Sequence, residues 1–267
     1  MQQLTISFIG GGNMAEALIA GLRRAGHDGA RIWVSDSQQL RRDFLSTTYA
    51  VKTSPDNGEA ARHADVLVLA VKPQQMKSAL SGLSKELKAD ASVISIAAGI
   101  STAALQEWLG ERANIVRVMP NTPALVGAGI SALFSDAAEM HKLRTEYLLQ
   151  ACGESVRLER ENQMHAVTAL SGSGPAYFLL MAEIMKATGV KLGLSEELAS
   201  QLANQTALGA GKMLVDSDRT AEELRHQVTS PGGTTQAALD EMYEMGLPAA
   251  IRKGVMAASK RSEELAG

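Results

Sequence analysis

The residues best placed to do chemistry early in this chain carry almost no side chain. Gly10-Gly11-Gly12-Asn13-Met14-Ala15 follows the apolar run Leu4–Ile9 and fits Gly-x-Gly-x-x-Ala. In that pattern Gly10 permits a tight turn, Gly12 lets backbone approach a pyrophosphate, and Ala15 lets a helix pack closely on a strand. The phosphates would rest on free N–H groups at a helix N-terminus. A glycine motif alone is weak, and a turn that serves only packing is the alternative. The strand–turn–helix context favours dinucleotide binding, which makes Ile9, Gly10, Gly11, Gly12, Asn13 and Met14 candidate cofactor contacts. Asp36 ends the next strand-like run, where an acid would accept hydrogen bonds from ribose hydroxyls or cap the following helix. Arg41 and Arg42, one turn later, would hold a 2′-phosphate or form a solvated helix face. The choice between NADH and NADPH therefore stays open. Val71-Lys72-Pro73 and Ala97-Ala98-Gly99 end two further apolar runs, and ligands bind beyond the carboxyl ends of parallel strands. Pro73 cannot continue a central strand, and small residues at 97–99 leave room for a nicotinamide ring. Ordinary strand-end turns explain both equally well.

Two later segments join loops to helix starts. Ser171-Gly172-Ser173-Gly174-Pro175-Ala176-Tyr177 puts a proline just inside a helix, and Ser230-Pro231-Gly232-Gly233-Thr234-Thr235 does something similar. Both expose backbone N–H groups under little side-chain cover, which suits a small carboxylate. Either one alone reads as simple helix capping. No hydrolytic triad or carboxylate pair stands out. The five histidines (27, 63, 141, 165, 226) show no metal-ligand spacing, so no metal is expected. Cys152 is the lone cysteine, expected buried and inert.

These residues must be positioned by two kinds of architecture. Up to about residue 119, strand-like runs (4–9, 31–35, 64–71, 92–98, 114–119) alternate with helical stretches at 13–25, 38–47, 74–87 and 102–109. That spacing gives βαβ units and a parallel sheet. After about Glu159 no strand is expected. Helices are expected at 175–188, 195–214, 220–227, 235–245 and 248–264, with a domain boundary near Arg160, dividing 1–160 from 161–267. A net charge of −3 and an aromatic content of 4% argue against nucleic acid as a partner. No apolar run is long enough to cross a bilayer. The start of the chain has no positive segment, so no signal peptide is expected, and a reduced cytoplasmic compartment fits.

Taken together the motifs resemble those of pyrroline-5-carboxylate reductases, over essentially the whole chain. The resemblance is carried by Phe8–Met14, Ala70-Val71-Lys72-Pro73, Ser95–Gly99, Val118-Met119-Pro120-Asn121-Thr122-Pro123, Ala169–Tyr177 and, most specifically, Val228–Thr235. It implies an α/β fold, with an N-terminal Rossmann-like domain followed by an all-α domain that dimerises. It implies reduction of 1-pyrroline-5-carboxylate to L-proline with NADPH or NADH. Asn57, Ala70, Lys72, Pro73 and the 97–99 loop would lie beside the cofactor. Ser230, Gly232, Gly233, Thr234 and Thr235 would surround the substrate, with Ser173 and Glu161 near it, and the Thr235 hydroxyl would bond the ring nitrogen. Asp36 falls where some members carry serine near the 2′-phosphate. The protonated ring imine already accepts hydride readily, so orientation would do most of the work and the cofactor would supply the chemistry.

A β-hydroxyacid dehydrogenase with the same two-domain plan is one alternative, but Phe178 stands where that family has its catalytic lysine. A non-catalytic dinucleotide sensor is another. A homodimer is expected because small residues at 203, 207, 210 and 211 recur at helical spacing among apolar ones, leaving a wide apolar surface to cover. Larger homo-oligomers stay open.

Overall fold

Ile6–Ile9 is buried along its whole length, as an apolar strand in the middle of a parallel sheet must be. In the computed structural model, which describes residues 1–266, this strand (β1) lies near the centre of one eight-stranded sheet. Its companions are β2 (Ile32–Ser35), β3 (Lys52–Ser54), β4 (Val66–Leu69), β5 (Ser92–Ser95), β6 (Asn114–Met119), β7 (Gly129–Phe134) and β8 (Gly153–Arg157). The order is β3-β2-β1-β4-β5-β6-β7-β8. Every pair is parallel except β6 with β7. The strand order reverses between β1 and β4, the switch point where open α/β sheets bind ligands.

Strand side chains alternate between two cores. Ile6, Phe8, Val66 and Val68 pack with Leu18, Leu22 and Leu148 on one face. Ile9, Leu67 and Leu69 pack with Met76, Leu80 and Leu105 on the other. The covering helices are α1 (Asn13–Arg24), α2 (Gln39–Tyr49), α3 (Asn57–His63), α4 (Pro73–Ala79), α5 (Thr102–Leu109) and α6 (Glu139–Gln150), followed by a short α7 (Gln163–Val167). The helix expected over 74–87 is two pieces. α4 ends at Ala79, Gly82 adopts φ +80, and a 3-10 turn over Leu83–Lys85 follows. A glycine in the left-handed region ends a helix.

Later in the chain come α8 (Gly174–Lys191), α9 (Glu196–Asp216), α10 (Ala221–Gln227), α11 (Thr234–Glu244) and α12 (Leu247–Glu264). Packing divides the chain into two compact units: Met1–Gly172 with the segment from Ala258 on, and Ser173–Ala257. In the second unit α8 and α9 pack on each other, Gly189 against Ala199, with Lys186 and Glu196 paired at 2.7 Å. Only Gly174, Ala199, Ala203 and Leu224 are buried there. Among the described residues no helix is long and apolar enough to cross a membrane.

Two histidines are packing groups of the first unit. His27 is fully buried with Nδ1 2.9 Å from the Tyr147 hydroxyl, and His141 is buried with Nδ1 2.8 Å from Ser92 Oγ. Burial lowers both pKa values from 6.5, so the fold favours the neutral form of each. Well above about 6.5 folded and unfolded chains are both deprotonated here, and the contribution is complete. As pH falls below it, the unfolded chain takes up these protons more readily than the folded one and stability declines. Melting temperature should therefore fall between pH 6.5 and 5, and fall less steeply in a His27→Gln, His141→Gln double variant. Parallel pH profiles for the two proteins would contradict this.

Candidate active site

The glycine loop between β1 and α1 is shaped by its own backbone. Gly10 adopts φ +95, and a Cβ there would lie 2.9 Å from both the Ala70 carbonyl oxygen and Val71 Cγ1. Only glycine fits a left-handed turn pressed against the next strand end. Gly12 is the opposite case. Nothing lies within 4 Å of where its Cβ would be, and as the residue capping α1 it supplies no side chain to the helix N–H groups. Gly12 and Asn13 are exposed, so the helix starts at the surface without a side-chain cap, the arrangement that receives a phosphate. Ala15, buried behind the loop, completes the tight helix–strand contact. The residues present thus fit a dinucleotide.

Asp36 sits at the end of β2 and holds this loop. Its Oδ2 accepts from Gly11 N at 2.9 Å and its Oδ1 from Gln38 N at 2.9 Å. Arg41 and Arg42 are not a solvated face. Arg41 Nε donates to the Gly11 carbonyl and Nη2 pairs with Glu16 at 2.5 Å. Arg42 Nη1 donates to the Asp36 carbonyl at 2.6 Å and Nη2 to Gln39. Asn57 opens α3 beneath the cap of Asp56, whose Oδ1 accepts from Gly58 N. Its amide is fixed from both ends, accepting from Ser35 Oγ at 2.7 Å and donating to the Ala79 carbonyl at 3.2 Å. Lys72 precedes Pro73, the first residue of α4. Ala97 is buried, and Gly99 turns at φ +78 with the Leu265 carbonyl 3.0 Å from its would-be Cβ.

Glu161 belongs to the first unit and has a full set of partners. One carboxylate oxygen accepts from Thr102 N at 2.8 Å and Arg117 Nη1 at 2.8 Å, the other from Thr102 Oγ1 at 2.7 Å. Burial alone would raise its pKa, but the bonds from Arg117 and Thr102 outweigh that and hold it below the usual carboxylate range. It therefore clamps the first residue of α5, directly after the 97–101 loop, to β6. Neither Arg117 nor this clamp was legible in the sequence. Arg117 is only 7% exposed in its side chain, so Glu161→Ala would strand a buried cation. The expected loss is about 2–3 kcal/mol, below the roughly 3–5 of a fully buried pair because Glu161 is partly solvated. Glu161→Gln should lose less, since its amide oxygen still accepts from Thr102. Urea unfolding midpoints check this, and an unchanged midpoint for Glu161→Ala would exclude the clamp.

Among helices α8 to α11 of the second unit, two carry side-chain caps and two do not. Ser195 caps α9, and Thr220 with Glu223 forms a capping box on α10. Ser173 and Gly233, which cap α8 and α11, make no side-chain cap bond. These are the two starts singled out by sequence. Gly232 turns at φ +68 and Gly233 N donates to the Ser230 carbonyl at 3.0 Å, so the 230–233 loop folds back on itself. Thr234 and Thr235 are the first two residues of α11, Thr235 half-buried. Cys152 is buried, its thiol pushed up to about 11 by burial, as an inert residue should be.

Comparison with known proteins decides the family. The chain is 47% identical to a pyrroline-5-carboxylate reductase from Pseudomonas aeruginosa over 98% of its own length and 96% of the relative's. This chain belongs to the pyrroline-5-carboxylate reductase family. Residues 161–265 match the family profile described as pyrroline-5-carboxylate reductase dimerisation, and residues 5–99 match NADP oxidoreductase coenzyme F420-dependent. A solved reductase of the family from Coxiella burnetii superposes with a TM-score of 0.93 at 39% identity, covering 99% of each chain. Another, from Plasmodium falciparum and with NADP bound, gives 0.89 at 31% identity over 100% of each chain. The α/β fold with its Rossmann-like sheet and helical C-terminal region is the fold of this family.

Proposed function

We propose that this chain reduces 1-pyrroline-5-carboxylate to L-proline, the last step of proline biosynthesis, with NADPH or NADH as reductant. The observation that carries the reading is the uncapped, side-chain-free start of α1 at Gly12, in a chain that matches these reductases from end to end. When bound, the reduced nicotinamide supplies the hydride. The protein holds and orients. The N–H groups following Gly12 take the pyrophosphate, and Asp36 keeps lone pairs for ribose hydroxyls. Asn57, Ala70, Val71, Lys72, Pro73, Ala97, Ala98 and Gly99 line the nicotinamide half. Ser230, Gly232, Gly233, Thr234 and the uncapped start of α11 hold the substrate carboxylate, with Ser173 at the start of α8. The Thr235 hydroxyl holds the ring nitrogen. Glu161 serves the substrate indirectly, by fixing the loop before α5.

The working division is 1–160 for the dinucleotide and 161–267 for substrate and assembly; the dimerisation profile starting at 161 supports it, whereas packing groups 161–172 and the segment from Ala258 on with the first unit. The assembly is a homodimer, supported by a second unit with four buried residues and long apolar side chains in solvent. The cytoplasm is the compartment assigned, which suits one buried thiol.

The test is an assay with purified protein. Reduced nicotinamide should be oxidised only when the cyclic imine is present, with one proline formed per reductant consumed. No proline with either cofactor would end this reading.

A further inference from the structure

We propose that Glu16 biases this chain toward NADH, by holding Arg41 on the glycine loop instead of leaving it free for a 2′-phosphate. The inference rests on the dinucleotide reading above and adds the residue that sets cofactor choice.

A 2′-phosphate is recognised by a cation with donors aimed at it, and arginine is the residue best shaped to do so. Two arginines stand near the end of β2, and both are already engaged. Arg41 Nη2 pairs with Glu16 Oε2 at 2.5 Å while its Nε donates to the Gly11 carbonyl. The other Glu16 oxygen accepts from the Tyr49 hydroxyl at 2.9 Å, so Glu16 is itself fixed between α2 and α1. Arg41 also lies over the Phe44 ring, 5.1 Å from its centre. Both members of the ion pair are largely sheltered, with 23% and 22% of their side chains exposed, which limits screening by salt. Arg42 is committed to the Asp36 carbonyl and Gln39.

What faces the ribose end of the loop is then Asp36. Each of its oxygens accepts one backbone N–H and retains a lone pair. A carboxylate so placed welcomes ribose hydroxyls and repels a phosphate dianion. Asp36 and Arg41 also grip the two sides of one residue, the N–H and the carbonyl of Gly11. Pulling Arg41 toward a phosphate would loosen the loop that receives the pyrophosphate. Glu16 is the group that opposes this pull, and it lies on α1 one turn past the glycines.

The experiment is a fluorescence titration of NADH and NADPH against the wild type, Glu16→Gln, Arg41→Ala and the double variant, each checked for fold by circular dichroism. The wild type should bind NADH about tenfold or more tightly than NADPH. Glu16→Gln should lower the ratio of the NADPH to the NADH Kd by about tenfold, and Arg41→Ala in the same chain should abolish that gain. Arg41→Ala alone should leave the ratio within about twofold, since a held arginine contributes nothing to lose. An unchanged ratio in Glu16→Gln would overturn the proposal, as would a gain that persists without Arg41. If Glu16→Gln does not fold, a tenfold rise of the ratio in Arg41→Ala alone would show that Arg41 already holds the phosphate, and would overturn the proposal too. A folded wild type that binds neither cofactor would bring down the functional reading itself.

Discussion

Ala207→Arg should split the proposed dimer into monomers and reduce kcat/KM by roughly a hundredfold or more. Ala207 lies on α9, two turns from Ala199 and one from Ala203, which are the small residues packed inside the second unit. Ala207 itself is exposed in the single chain, so an arginine there disturbs nothing within the subunit. Around it, Leu198, Leu202, Leu208, Met213 and Leu214 on the same helix all stand in solvent. A helix so apolar is stable in water only if something covers it, and obligate homodimer interfaces resemble a domain core cut in half. An arginine in that interface buries an unpaired charge, which costs about 3–5 kcal/mol when its counter-ion is missing, and two-fold symmetry doubles the insult. Activity should follow, because a second unit with almost no core of its own cannot hold the 230–235 loop rigidly. Mass by light scattering and steady-state kinetics on the same sample check both parts. A fully active monomer, mutant or wild type, would end the argument.

Thr235→Val should cost roughly 10- to 100-fold in kcat/KM. Valine keeps the shape of threonine and the branched Cβ, so α11 should start where it does now. What is lost is one hydroxyl at the second position of the helix. If that hydroxyl bonds the ring nitrogen, its removal leaves a polar group unpaired in the complex, worth about 1–3 kcal/mol. NADH affinity, which depends on the glycine loop, should barely move. Wild-type kinetics in a folded Thr235→Val would exclude the role.

How much of this was legible in the residues varies along the chain. The runs that form β6 and α5 were bounded to the residue, at Asn114–Met119 and Thr102–Leu109. Buried apolar runs and a serine cap leave little freedom. β3 was not, because Lys52–Ser54 is three residues with one side chain buried. It is too short for any period to show. α3 was overlooked although Asp56 and Glu59 stand at capping-box spacing. β7 and β8 were missed for a different reason: their order depends on long-range partners. Asn121, for example, accepts from Ile130 N at 3.0 Å, a bond between a loop and a strand edge that no local pattern announces. The glycine loop was legible because its chemistry is backbone chemistry, and the absence of side chains is itself the signal. The engagement of Arg41 by Glu16, and of Glu161 by Arg117, was not. Both pairs join residues far apart in sequence, and a lone charge on a helix reads as solvated until its partner is known.

The most direct test is to follow the hydride. Reduced nicotinamide carrying deuterium at C4 on the transferred face, mixed with 1-pyrroline-5-carboxylate and purified protein, should give L-proline with one deuterium at C5, the former imine carbon. Unlabelled proline from both C4 faces of the reductant, or labelled reductant that is oxidised without any proline appearing, would contradict the account.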